Sequence, residues 1–195
     1  MKKWFIPLIA LYGAYVARLH GQHNKIPKLA EALLWAIPFG YVAYLYSNIY
    51  VSIPVVILTA MAMNTGHGQW FSLGRVWKRI KPERLDFIVT AFFGDDPRIN
   101  VAEHQTERPL IYDKLYFRCV LGMALKGLVR VLPCALVVTY SAPMLGLLLI
   151  FGGLLTAFAY ALGHELFKPD QASVFGEYGS GFFAFITLAI VWSAL

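Results

Sequence analysis

Residues 118–163 read RCVLGMALKGLVRVLPCALVVTYSAPMLGLLLIFGGLLTAFAYALG, which is two long apolar runs joined by the turn sequence Ser141-Ala142-Pro143. At about 1.5 Å per helical residue, each run is long enough to cross the ~30 Å hydrocarbon layer of a bilayer. A turn this short requires the two helices to run antiparallel. The stretch therefore predicts a transmembrane helical hairpin.

Four further apolar runs accompany this hairpin, at residues 4–19, 29–46, 49–64 and 177–195, and Ser47-Asn48 marks a second tight turn. The composition agrees with a membrane protein, because 58% of the 195 residues are hydrophobic, only 14% are charged and the mean hydropathy is +0.59. We predict an all-α fold, a polytopic transmembrane bundle of six spans. Five spans is the alternative, because the first and third runs are short.

The longest polar segment, residues 65–117, separates the third and fourth spans. We predict one integral membrane domain, 1–195, with this segment as an interfacial insertion, because its aromatic stretches are too short to span. Lys and Arg occur in the first, third and fifth connections, while the second and fourth carry none. The positive-inside rule then places the insertion in the cytoplasm and predicts a multi-pass membrane protein.

The net charge of +6 does not indicate nucleic-acid binding, because the cations cluster in the connections rather than along one face. A membrane margin explains them better. The two cysteines, Cys119 and Cys134, fall in one predicted helix about 22 Å apart and cannot form a disulfide there. The sequence therefore predicts the lipid bilayer as a partner and excludes nucleic acid.

Reactive side chains gather at the predicted cytoplasmic boundary and form a candidate polar pocket of His67, Gln69, Asp86, Asp95, Asp96, His164, Glu165 and Glu177. Because His and carboxylates bind divalent ions, His67 and His164 are candidate metal ligands and a divalent metal ion is a candidate cofactor. His164-Glu165 lacks the second histidine of a metalloprotease helix. Turn and helix-end roles explain these residues at least as well, and catalytic residues are not identified.

Lys126 and Arg130 lie four residues apart on one face of the fourth span. Charges inside a span are costly, so we expect these side chains to face the bundle or to reach the headgroup level. Glu165, Glu177 or a lipid phosphate could pair with them there. The pair is a candidate anion-binding site, and a plain start of the helix at the headgroup level is an equal alternative.

The stretches Asn64–Phe71, Leu85–Arg98 and Cys119–Leu125 resemble small phage- or prophage-encoded polytopic membrane proteins of unknown function. This resemblance implies a bacterial inner membrane and an accessory role during infection, and it identifies no catalytic residue.

Three functional hypotheses follow. The first is a small inner-membrane accessory protein whose cytoplasmic-side pocket binds a host membrane protein or an anionic lipid headgroup. The second is a metal-dependent membrane enzyme acting on a lipid or lipid-linked substrate. The third is a channel or transporter, which is disfavoured because the sequence shows no internal repeat and no carboxylate in the middle of a span.

Overall fold

A computed structural model describes residues 5–21, 28–64, 114–166 and 169–195. Over these residues the fold consists of six α-helices without a strand, which confirms the all-α prediction. The helices are α1 (Phe5–Gly21), α2 (Lys28–Tyr46), α3 (Ile49–Asn64), α4 (Lys114–Ser141), α5 (Pro143–Leu166) and α6 (Pro169–Ser193).

The start of α6 differs most from the sequence prediction, because the helix begins at Pro169 rather than at residue 177. Proline suits the first turn of a helix, where its missing N–H would have had no partner. Residues 169–176 include Asp170, Gln171 and Ser173 and lack a continuous apolar run, so hydropathy does not detect this part of the helix. Gly181 lies against the backbone of Gly13 on α1, and a side chain there would hold the two helices apart.

Helix α2 packs against α1, α3, α4 and α6, while α5 packs between α4 and α6. Hydrogen bonds from side chains to backbone carbonyls join α2 to each of its four neighbours. They run from Tyr12 Oη to Leu34 (2.9 Å), from Ser52 Oγ to Gly40 (2.7 Å), from Ser141 Oγ to Tyr46 (3.2 Å) and from Tyr46 Oη to Val191 (2.9 Å).

These contacts set the direction of the helices, so that α2, α4 and α6 run opposite to α1, α3 and α5. One end of the bundle carries both tight turns, Ser47-Asn48 and Ala142, and we call it the turn end. At this end the Oδ1 atom of Asn48 accepts a hydrogen bond from the Val51 N–H (3.1 Å) and caps the start of α3. We call the opposite end, where α2 and α4 begin, the loop end.

One of the interhelical bonds compensates for a proline inside α2. Pro38 has no N–H, so the carbonyl of Leu34 loses its usual donor four residues later. The phenol of Tyr12 on α1 donates to that carbonyl instead. The hydrogen bond from Tyr12 therefore satisfies the Leu34 carbonyl, and Pro38 is tolerated inside α2.

Large apolar side chains cover the outside of the bundle, among them Leu8, Ile53, Leu136, Leu147 and Phe151. Small and hydroxyl-bearing side chains occupy much of the inside. Where side chains are described, none that is exposed carries a charge. One described helix, α2, has an apolar stretch long enough to cross a membrane, Leu29–Tyr46, and the other five have shorter apolar stretches.

Candidate functional site

Two charged side chains lie inside the bundle, Glu31 on α2 (3% exposed) and Arg130 on α4 (5% exposed). They are the only Asp, Glu, Lys or Arg residues whose side chains the structure describes. Burying a carboxylate and a guanidinium is costly even when the two charges compensate each other. Such residues in an apolar helical bundle mark a candidate functional site.

Arg130 packs on the face of Trp35, with its Cζ atom 5.6 Å from the centre of the indole ring. The helix register explains this contact, because Ser141 and Tyr46 meet at the turn end, and Arg130 and Trp35 each precede them by eleven residues. Eleven residues are about three helical turns, or roughly 16 Å, and return each side chain to the same face. A cation over a desolvated indole is stabilised by about 2 kcal/mol.

An aromatic cluster fixes the position of Trp35. Its indole meets Phe185 of α6 edge to face at 5.1 Å and stacks on Phe39 at 6.1 Å. Phe185 also contacts Phe39 (5.3 Å) and Tyr12 of α1 (5.5 Å). Contacts with α1 and α6 therefore fix the position of the ring on which Arg130 packs.

Thr59 of α3 lies at the same level of the bundle as Glu31 and Trp35. Ser52 bonds to Gly40, and Thr59 follows Ser52 by seven residues, or about two turns, along an antiparallel helix. This register places Thr59 level with Leu33, and α3 packs against both α2 and α4.

Two polar atoms at this level have no hydrogen-bond partner among the described residues. They are Nε1 of Trp35 and Oγ1 of Thr59, and neither residue is more than 1% exposed. Most buried polar atoms in native proteins are hydrogen-bonded, so each exception calls for an explanation such as a bound water or ligand. We call Glu31, Trp35, Thr59 and Arg130 the buried polar cluster.

The chemistry of the buried polar cluster suits an oxyanion. Arg130, the Trp35 N–H and the Thr59 hydroxyl can all donate hydrogen bonds, and Arg130 adds a positive charge. Glu31 adds a negative charge one helical turn nearer the loop end. The chemistry of the cluster therefore matches an acceptor group that lies close to a cationic group.

The structure describes one of the two side chains of the predicted anion-binding pair, Lys126 and Arg130. The side chain of Arg130 is buried inside the bundle. Lys126 lies on α4 one turn nearer the loop end, and its side chain is outside the description. Anion binding at Arg130 remains a prediction.

The predicted polar pocket falls mostly outside the described residues, which exclude His67, Gln69, Asp86, Asp95 and Asp96. The last turn of α5 contains His164 and Glu165, and α6 contains Glu177, but their side chains are not among those described. No described group of three His, Cys, Asp or Glu residues could hold a metal ion. The pocket and its metal ligands therefore remain predictions.

Three members of the buried polar cluster were not predicted from the sequence: Glu31, Trp35 and Thr59. Glu31 could have been found, because it is the only carboxylate in the apolar run 29–46. Trp35 and Thr59 could not, since their importance depends on the register of three helices. Fold and site thus define an all-helical bundle with an apolar exterior and a charged interior.

Comparison of the chain with protein-family models, with curated proteins and with solved structures found no match in any of the three.

Proposed function

We propose that the protein is a six-span protein of the bacterial inner membrane, and that it binds the phosphate of a lipid headgroup at the loop end of its bundle. The distribution of side chains supports the membrane part of this proposal. Large apolar side chains face outward on every helix, whereas both described charges face inward. In water this arrangement would expose a very large apolar surface, but in lipid it is the expected one.

Exposed aromatic residues at the turn end support a membrane boundary there. Tyr50, beside the first turn, is 83% exposed, and Tyr140, beside the second, is 93% exposed. Tyr44 is also exposed near this end. Tyrosine and tryptophan are enriched where a membrane meets water, because their rings are apolar and their polar atoms can reach the headgroups.

Arg130 is the single observation that carries lipid binding. Its guanidinium is held inside the bundle over Trp35, which lies six residues inside Leu29, the loop-end limit of the apolar stretch of α2. Six helical residues correspond to about 9 Å, so a headgroup phosphate would reach the guanidinium by entering the bundle from the loop end. Guanidinium groups bind phosphate oxygens with two parallel hydrogen bonds.

Purification tests both parts of the proposal. We expect the protein to stay in the membrane pellet after alkaline carbonate extraction, and to carry phospholipid when its mass is measured intact from mild detergent. Arg130→Gln should lower the amount of retained phospholipid, while Tyr140→Phe, at the opposite end, should not. A chain that carbonate releases would contradict the membrane proposal. Purification with a host membrane protein and no lipid would favour the other binding hypothesis.

Transport is the second candidate function, and Glu31 is the observation that favours it. The sequence disfavours transport because it shows no internal repeat and no carboxylate in the middle of a span. Glu31 lies near the start of α2 but is buried among the helices, and buried ionisable residues within a membrane often line ion pathways. Ion flux into protein-containing liposomes that Glu31→Gln abolishes would support transport.

A further inference from the structure

We propose that the buried polar cluster recognises a zwitterionic phosphoethanolamine headgroup rather than a headgroup with net negative charge. This inference rests on the proposed lipid binding and names its ligand. It comes from two independent observations. The first is that the Trp35 N–H and the Thr59 hydroxyl have no hydrogen-bond partner among the described residues, and the second is the balance of charge around them.

Thr59 differs from two other threonines of the bundle in what its hydroxyl does. Thr139 donates to the Ala135 carbonyl (2.7 Å) and Thr187 to the Ala184 carbonyl (2.9 Å), as threonines in helices commonly do. The Thr59 hydroxyl makes no such bond within the described residues, and the N–H of Trp35 makes none either. A phosphate oxygen beside Arg130 would accept from both donors and would satisfy them.

The charges of the buried polar cluster favour a zwitterion. Glu31 and Arg130 contribute one negative and one positive charge to the same region, one on α2 and the other on α4. A ligand with net negative charge would leave an excess of buried negative charge, which is costly. Phosphoethanolamine carries one negative phosphate and one positive ammonium group, so its binding keeps the region neutral while it offers an oxyanion to Arg130 and a cation to Glu31.

The location of the cluster suits a lipid headgroup. Glu31 is two residues inside Leu29 and Thr59 is four residues inside Met63, at the loop-end limits of the apolar stretches of α2 and α3. These positions lie about 3–6 Å from that boundary along the helices. A lipid whose tails remain beside the bundle can therefore place its headgroup between α2, α3 and α4.

Two conservative variants test the site without removing a described hydrogen bond. Trp35→Phe keeps an aromatic ring under Arg130 but removes the N–H, and Thr59→Val keeps the shape but removes the hydroxyl. Because the Thr59 hydroxyl has no described partner, Thr59→Val should leave the temperature of unfolding in detergent the same or raise it, whereas Trp35→Phe removes part of a buried ring and should lower it modestly. Binding of phosphatidylethanolamine should fall roughly tenfold in each variant. Thr139→Val and Trp192→Phe are matched controls that should leave lipid binding unchanged.

The measurement is the lipid retained by the full chain from vesicles with equal amounts of phosphatidylethanolamine and phosphatidylglycerol, read from the intact mass. We expect phosphatidylethanolamine to be retained preferentially and Glu31→Gln to remove the preference. Soluble phosphoethanolamine should compete only weakly, and strong competition would show that the site takes the free molecule instead of the lipid.

Three results would overturn the inference. Preference for phosphatidylglycerol, or equal retention of the two lipids, would refute the zwitterionic headgroup but leave phospholipid binding intact. Unchanged retention in both Trp35→Phe and Thr59→Val would place the lipid elsewhere and leave these donors to bound water. Retention of no lipid by the unsubstituted chain would refute the proposed function together with the inference.

Discussion

Replacement of Phe185 by alanine should be among the most destabilising changes in the bundle. Its fully buried ring makes edge-to-face contacts with Tyr12, Trp35 and Phe39, at 5.5, 5.1 and 5.3 Å. Each such pair contributes about 0.5–1.5 kcal/mol beyond area burial. In a membrane, moving a side chain from lipid to a protein interior gains little, so the lost packing dominates the cost. We expect Phe185→Ala to lower the free energy of unfolding by about 1.5–4.5 kcal/mol.

Phe158 supplies a matched control, because it is 53% exposed and, within the described part of the chain, contacts one ring, Phe183, at the longer distance of 6.3 Å. Phe158→Ala should cost less than about 1 kcal/mol. The assay is reversible unfolding by sodium dodecyl sulfate in mixed micelles, followed by circular dichroism. Equal costs for the two variants, or a larger cost for Phe158→Ala, would refute the position assigned to Phe185.

Three further substitutions probe other parts of the bundle. Tyr12→Phe should lower the free energy of unfolding by about 0.5–1.5 kcal/mol in the same assay. Most of this loss should vanish in a Pro38→Ala background, because the restored N–H at position 38 bonds the freed carbonyl of Leu34. Equal losses in the two backgrounds would contradict this. Gly127→Val should cost about 1–3 kcal/mol, because a side chain there meets the Gly153 carbonyl, and unchanged stability would mean that α4 and α5 do not pack closely at this point. Phe151→Lys places a charge on an exposed position of α5 and should make membrane insertion less favourable by about 2.5–3.5 kcal/mol. The measurement is the fraction of the chain that inserts. An unchanged fraction would mean that this face of α5 is exposed to water.

Hydropathy and turn residues were enough to predict the helices. The runs 29–46 and 49–64 match α2 and α3 closely, because an apolar stretch that ends at Ser47-Asn48 leaves little freedom in where each helix stops. The start of α6 was predicted eight residues late, because hydropathy does not detect the first two turns of this helix, which begin with Pro169 and contain polar residues. A helix prediction based on apolar runs finds the apolar part of each helix and misses its polar ends.

The candidate site was harder to predict, for physical reasons. Arg130 stood out because a cation within an apolar run is costly wherever the helix packs. Glu31 did not, because its place near the start of an apolar run makes it look like part of the polar margin. Trp35 and Thr59 are ordinary residues in the sequence. They matter because two interhelical hydrogen bonds bring them to the level of the buried charges, and such a register is a property of the packed bundle.

The orientation of the two ends of the bundle tests the proposal of a multi-span membrane protein most directly. Single cysteines would replace Asn48 and Ala142 at the turn end, and Lys28 and Lys114 at the loop end, in a chain whose own two cysteines are changed to serine. We expect a membrane-impermeant maleimide to label both turn-end positions in intact spheroplasts and both loop-end positions only after the membrane is permeabilised. Labelling of both ends from the same side, or recovery of the protein in the soluble fraction, would contradict the six-span arrangement.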